Sequence, residues 1–190
     1  MAILDGLRTT SKNSISWFKD NVRKLMNDKR FSRISRNDLM RDTDYMTTRL
    51  ELGKMYLFQY DPKHKRTLPY YDTYPLTIPI ERYNDGFLGL NLHYLPPKLR
   101  LTLLEQLLKL VNTKNMSERT KIVATYNLLS SSAKYKFMKP TIKRYLNNHI
   151  RSPYIQIKPE DWKIAIFLPY EGFKKASKNN VWKDSTRMVR

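Results

Sequence analysis

The spacing of apolar residues changes character three times along the chain. From Ser14, a residue suited to an N-cap, Ile15, Phe18, Val22, Leu25 and Met26 recur at helical intervals. Lys19, Arg23, Lys24, Lys29 and Arg30 lie around or after them, so the pattern predicts a basic amphipathic helix. Residues 31–52 are charged and weakly periodic, with Arg33, Arg36, Arg41 and Arg49 interleaved with Asp38, Asp42 and Asp44; they predict a helical or extended arm. Gly53 begins a β-like texture. Every residue from Met55 to Tyr60 except Gln59 is apolar or aromatic, a polar turn follows at 61–66, and Pro69, Pro75 and Pro79 then stand among Tyr70, Tyr71, Tyr74, Leu76 and Ile78. Proline lacks the amide proton that a helix or a central strand needs, so this stretch is restricted to bends and edge strands. The turn signal Tyr83-Asn84-Asp85-Gly86, flanked by residues 77–82 and 87–94, predicts a β-hairpin.

After Pro96-Pro97 the period becomes helical. Leu99, Leu103, Leu104, Leu107, Leu108 and Val111 form one stripe over 97–112, with Pro97 at the first helical position, where its missing proton costs nothing. A second helix is predicted from 115–117, with Asn115 and Glu118 at capping-box spacing and Ile122, Val123, Tyr126 and Leu129 inward. A third is predicted from Pro140, burying Ile142, Tyr145, Leu146 and Ile150 and presenting Lys139, Lys143 and Arg144. Tyr154, Ile155 and Ile157 suggest a returning strand, and Pro159 opens a short helix through Trp162 and Phe167. The expected fold is therefore α+β: a small SH3-like barrel over about 53–94, closed by the strand near Ile155, with helices packed around it. Three regions follow: a basic helical N-terminal arm at 1–52, a body at 53–173, and a basic C-terminal tail at 174–190.

Charge directs this fold toward a partner. The formal net charge is +19 over 190 residues. From Arg119 to Lys158 there is no aspartate or glutamate, while Arg119, Lys121, Lys134, Lys136, Lys139, Lys143, Arg144, Arg151 and Lys158 are all cationic. Tyr126, Tyr135, Phe137, Tyr145 and Tyr154 punctuate this window like residues of a folded segment, so it is read as an ordered surface facing a polyanion and not as a solvated tail. With no cysteine, disulfides, thiolate zinc sites and cysteine nucleophiles are excluded. No apolar run approaches the roughly 18 residues of a membrane span, and residues 1–10 lack a signal-peptide core. A soluble protein made in a cytoplasm is the expectation.

The candidate phosphate contacts are Lys134, Lys136, Lys139, Lys143, Arg144 and Arg151, which share the acid-free window, followed by Lys63, Lys65 and Arg66 on an outward turn. Tyr70, Tyr71 and Tyr74 lie beside that turn and are the candidates for stacking on an exposed terminal base pair; packing within the barrel is the competing role. His64, His93 and His149 have no paired ligand at helical spacing, so no metal or other cofactor is expected. Asp61, Asp72 and Asp85 resemble nuclease carboxylates only in type, because each stands in a turn context that capping explains. No phosphate loop, serine-nucleophile or kinase motif occurs, and the chain is not expected to be an enzyme.

Two blocks, GKMYLFQYDPKHKRTLPYYDTYPL (Gly53 to Leu76) and GFLGLNLHYLPPKLR (Gly86 to Arg100), resemble the DNA end protector proteins of T4-like tailed bacteriophages. KRYLNNHIRS (Lys143 to Ser152) and DWKIAIFLPYEGF (Asp161 to Phe173) are similar to the C-terminal half of that family. The resemblance implies a non-enzymatic virion protein that binds the ends of linear double-stranded DNA, enters the host cytoplasm with the genome and blocks host exonuclease. Phage head or neck proteins are the further partners it suggests. The alternative is a structural neck, connector or baseplate component whose basic surface lines the DNA path; a general DNA-condensing protein is a third reading.

Overall fold

The computed structural model describes residues 43–109 and 138–189, together with Met40, Thr120, Val123, Ala124 and Asn127. The chain divides into two units, Met1–Asp38 and Leu39–Arg190, and the described residues belong to the second. The amphipathic helix expected after Ser14, and Lys134 and Lys136, lie outside the described residues, as does most of the arm expected at 31–52; of the helix expected from 115–117, only Thr120, Val123, Ala124 and Asn127 are described, and all four are helical.

The described body is α+β. Its strands are β1 (Met46–Thr47), β2 (Met55–Leu57), β3 (Tyr71–Asp72), β4 (Leu76–Tyr83), β5 (Gly86–Asn91), β6 (Ile142–Leu146), β7 (Tyr154–Ile157) and β8 (Phe173–Lys174). Six of them form one antiparallel sheet in the order β1-β7-β2-β4-β5-β6, and β3 pairs with β8 in a separate ribbon. The strands at the two ends of that order, β1 and β6, do not pair, so the sheet is open where a closed barrel was expected. It bends strongly, however. The chain leaves β6 through a 3-10 turn (Asn147–His149), and Ile150 then bridges to Tyr60 beyond the end of β2.

The hairpin predicted around Asn84-Asp85 is present as β4–β5, with Tyr83 opposite Gly86. Pro79 is tolerated in β4 because it lies past the stretch that pairs with β2; on that side its carbonyl accepts from Gly53 N at 2.7 Å, and no amide is called for. Gly53 itself has φ 76°, a conformation that only glycine adopts without strain. Gly86 is required for a different reason: a Cβ there would stand 1.9 Å from the Tyr145 carbonyl oxygen, so the close approach of β5 and β6 admits no side chain.

Residues 142–146 are a strand, not the third helix that their spacing predicted. Ile142, Tyr145, Leu146 and Ile150 satisfy a helical period, but pairing with Gly86–Leu90 of β5 supplies backbone partners from a distant segment and overrides it. Tyr145 then enters the aromatic core formed with Tyr56, Phe58, Tyr60 and Phe87. Its ring stacks on Phe87 at 5.2 Å and meets Phe58 and Tyr60 edge-on at 5.4 and 4.9 Å. Each such pair contributes about 0.5–1.5 kcal/mol beyond simple burial.

Among the described residues, two helices exceed one turn. α1 (Pro97–Lys109) begins at the predicted proline and buries Leu103, Leu104 and Leu107. A single turn, α2 (Trp162–Ala165), follows the 3-10 turn Pro159–Asp161. α3 (Lys178–Val189) lies within the segment expected as a basic tail: Ser177 caps its start by accepting from Asn180 N, and Val181 and Ser185, one turn apart, are buried. No helix among the described residues is long and apolar enough to cross a membrane.

Candidate nucleic-acid interface

The turn at 62–68 carries Lys63, His64, Lys65 and Arg66, all exposed. Backbone bonds within it hold its shape: Thr67 N and Leu68 N both donate to the His64 carbonyl at 3.0 Å. β3–β8 pairing sets Lys174 opposite Tyr71 and brings Lys175 beside the turn. There the Lys175 ammonium donates to the carbonyls of Arg66 and Leu68 at 2.7 and 2.9 Å. Lys175 reaches them from φ 68°, an uncommon conformation for a residue with a Cβ.

Arg151 joins the same surface from another part of the chain. Its guanidinium is 3.8 Å from the Asp61 carboxylate, which also accepts from Lys65 Nζ at 2.8 Å. The Lys65 hydrogen bond, with the nearby charges of Lys65, Arg151 and His149, holds the Asp61 carboxyl below the usual range. The structure thus brings together Lys63, Lys65, Arg66 and Arg151, four of the cations singled out in the sequence. Part of the self-repulsion of the acid-free window is answered by acids from elsewhere in the chain: Asp61 for Arg151, and Asp85 for Arg144.

Lys143 and Arg144 part company because they are neighbours on a strand, where successive side chains point to opposite faces. Arg144 is exposed; it pairs with Asp85 and lies 3.7 Å above the Tyr83 ring. Lys143 turns inward, its ammonium 4.0 Å above the Tyr94 ring, and loss of hydration lowers its pKa to about 8. The exposed face that the helix prediction gave to Lys143 is therefore absent. Lys139 is exposed on a separate 3-10 turn (Lys139–Thr141). Tyr70, Tyr71 and Tyr74 are half-buried, and Tyr70 leans on Tyr94 at 6.0 Å.

A groove of about 690 Å³ lies beside this surface, between residues 48–50, the tip of the β4–β5 hairpin, and Asn147 and Ile150. Arg49, Arg82, Tyr83 and Asn84 line it, with Phe87 and Tyr154 from the aromatic cluster. It was not foreseen. Its one sequence signal is an arginine and a tyrosine immediately before the Asn-Asp-Gly turn, where turn chemistry had absorbed the whole motif. Arg82 is fixed by donating to the Leu50 carbonyl, and Asn147 N donates to Asp85 O at 2.9 Å, tying the 3-10 turn to the hairpin tip. The same five-residue stretch from Asn147 to Arg151 lines the groove at one end and reaches Asp61 at the other.

Behind these surfaces is a buried polar network. Asp72 Oδ2 lies 2.8 Å from His93 Nδ1 and accepts from Asn91 Nδ2 at 3.2 Å; Asn91 also donates to the Tyr145 hydroxyl at 3.0 Å. Asp72 Oδ1 accepts from the amides of Tyr74 and Gly172. Burial pushes the Asp72 carboxyl up, but His93 and the two amides outweigh that effect and hold it below the usual value. Arg100, fully buried, donates to the carbonyls of Leu95, Ile166 and His93 and pairs with Glu171, so it ties α1 to the segment before it and to the segment that follows α2. The three aspartates considered in the sequence are thus engaged separately: Asp61 with Lys65, Asp72 inside the core, and Asp85 with Arg144.

Exposed cations on short, tied turns, carried by an antiparallel sheet with an aromatic core, define an α+β protein with a basic surface. Residues 3–185 match the model of the family described as Phage T4 terminal DNA protecting protein, and the chain belongs to that family. No curated protein and no solved structure matches it.

Proposed function

We propose that this protein binds the ends of linear double-stranded DNA in a tailed-phage virion and, once in the host cytoplasm, shields them from exonuclease by occupancy, without catalysing a reaction. The observation that carries the proposal is the family match across residues 3–185. The tied cationic turn supports it physically. Lys63, Lys65, Arg66 and Arg151 are held on backbone that is already ordered, so contact with phosphates costs little further conformational entropy. Lys139 and Arg144 extend the cationic surface, and Lys134 and Lys136 are assigned to it from the sequence. Lys143 is assigned to support of Tyr94, since its charge is spent against that ring. The strand succession β2-β4-β5-β6, the 3-10 turn after β6 and the return of β7 to β2 support reading the sheet as an opened SH3-like roll.

Phosphate contacts alone give binding that is blind to sequence and falls steeply with salt. The test is competition at about 150 mM salt, an ionic strength at which the Debye length is about 8 Å. A labelled linear duplex is challenged with equal masses of unlabelled linear DNA and of covalently closed circle of the same length. The proposal predicts that linear DNA competes and the circle does so much more weakly. Equal competition would replace end binding with general DNA binding.

A further inference from the structure

The groove beside the hairpin tip carries no assignment from the sequence or the family match, and its chemistry is specific. Tyr83 is 37% exposed, one of the two large apolar side chains that reach this level among the described residues. Arg144 covers one face of its ring, while the groove is lined by other residues. Arg49 and Arg82 supply positive charge at the groove wall, Asn84 and Asn147 supply exposed amides, and Phe87 and Tyr154 supply an apolar floor. Carboxylates of residues next to the groove lining are engaged: Asp85 is paired with Arg144, Glu51 with Lys54, and Glu81 is hydrogen-bonded to the Tyr83 side chain.

We infer that this groove holds the terminal nucleotide of a DNA strand, its base stacked on Tyr83 and its phosphate between Arg49 and Arg82. The inference rests on the end-binding proposal and gives it a site. A volume of about 690 Å³ falls within the roughly 300–1,000 Å³ usual for small-ligand clefts, large enough for one nucleotide. Aromatic stacking selects an end for a geometric reason: a base inside a duplex has both faces covered by its neighbours, whereas the last base offers one face free. The segment from Asn147 to Arg151 joins the groove to the cationic turn, so duplex phosphates on Lys63, Lys65, Arg66 and Arg151 lie next to a site for the final residue.

The test uses full-length protein and its variants Tyr83→Ala and Tyr83→Phe, with affinities measured for a linear duplex and for a closed circle of equal length. Stacking of one base on an aromatic side chain corresponds to about a five- to hundredfold change in affinity on alanine substitution. Tyr83→Ala is therefore expected to weaken linear binding about fivefold or more while leaving circle binding within about twofold, and Tyr83→Phe is expected to behave as wild type. Tyr83 sits at an exposed hairpin tip, and an unchanged melting temperature verifies the fold of each variant. Three results would overturn the inference: no loss in Tyr83→Ala, an equal loss on both DNA forms, or a loss in Tyr83→Phe matching that in Tyr83→Ala. A wild-type protein that does not distinguish the two forms would reject end binding itself, and that outcome is separable because it precedes any variant.

Discussion

If the turn at 62–68 faces DNA phosphates, removing its three cations lowers both affinity and salt sensitivity. In the variant Lys63→Ser, Lys65→Ser, Arg66→Ser the backbone bonds of the turn and the two Lys175 contacts to its carbonyls remain, because none uses the replaced side chains. The ion pair of Lys65 with Asp61 is exposed, and such pairs contribute about 0–1 kcal/mol, so the fold should survive. Each phosphate contact adds about 0.9 to the slope of log affinity against log salt for duplex DNA. Lys63 and Arg66 contribute in full; Lys65 contributes less, because it is shared with Asp61 at 2.8 Å. The slope should fall by about 1.8 to 2.7, so that between 50 and 200 mM salt the wild type loses about 12- to 40-fold more affinity than the variant. Fluorescence anisotropy of a labelled duplex at four salt concentrations measures this. A slope within about 0.5 of wild type, less than one contact, would refute the placement of these cations against DNA.

Two further outcomes concern the scaffold. Lys143 has its pKa lowered to about 8 in the fold, against about 10.4 when unfolded. The cost of its buried charge is therefore present below pH 8 and relieved as pH rises from 8 toward 10.4. Lys143→Met should be more stable than wild type by about 1–2 kcal/mol at pH 7, after allowing for partial solvent access and for loss of the Tyr94 contact, with the advantage shrinking across that interval. Urea titrations of both proteins at pH 7, 8, 9 and 10 check this, and a constant difference would contradict it. Asp72, with its carboxyl held below the usual value, stabilises the fold fully above about pH 3.9 and loses that contribution as pH falls through its lower folded pKa. Asp72→Ala, which strands the buried His93 and two amides, should cost about 3–5 kcal/mol at pH 7 by chemical denaturation; a loss under about 1 kcal/mol would mean that the network is readily rehydrated.

Local rules carried the parts of the fold that local chemistry decides. Asn84-Asp85-Gly86 demanded a tight hairpin, and Pro97 with its leucine stripe demanded a helix; both formed where expected. Residues 142–150 misled because Ile142, Tyr145, Leu146 and Ile150 fit a helical period equally well, and the deciding partner, β5, lies some fifty residues earlier in the chain. That error carried over to the site. On a helix, Lys143 and Arg144 would share an outer face; on β6 they take opposite sides, one over Tyr94 and one over Tyr83. The basic turn was legible because its charges are contiguous. Its union with Arg151 through Asp61, and the groove assembled from residues 48–50, 82–87 and 147–154, depend on sheet pairing that no single stretch of sequence contains.

Guarding DNA ends by occupying them is the role proposed for this protein. Its most direct test is a digestion time course of an end-labelled linear duplex of several hundred base pairs by a processive exonuclease, with full-length protein at one to a few molecules per end. End occupancy predicts loss of digestion at these low ratios, and digestion restored when excess linear competitor is added but not when excess closed circle is added. Protection that begins only when the duplex is coated along its whole length, and that the circle relieves as well as linear DNA does, would contradict it.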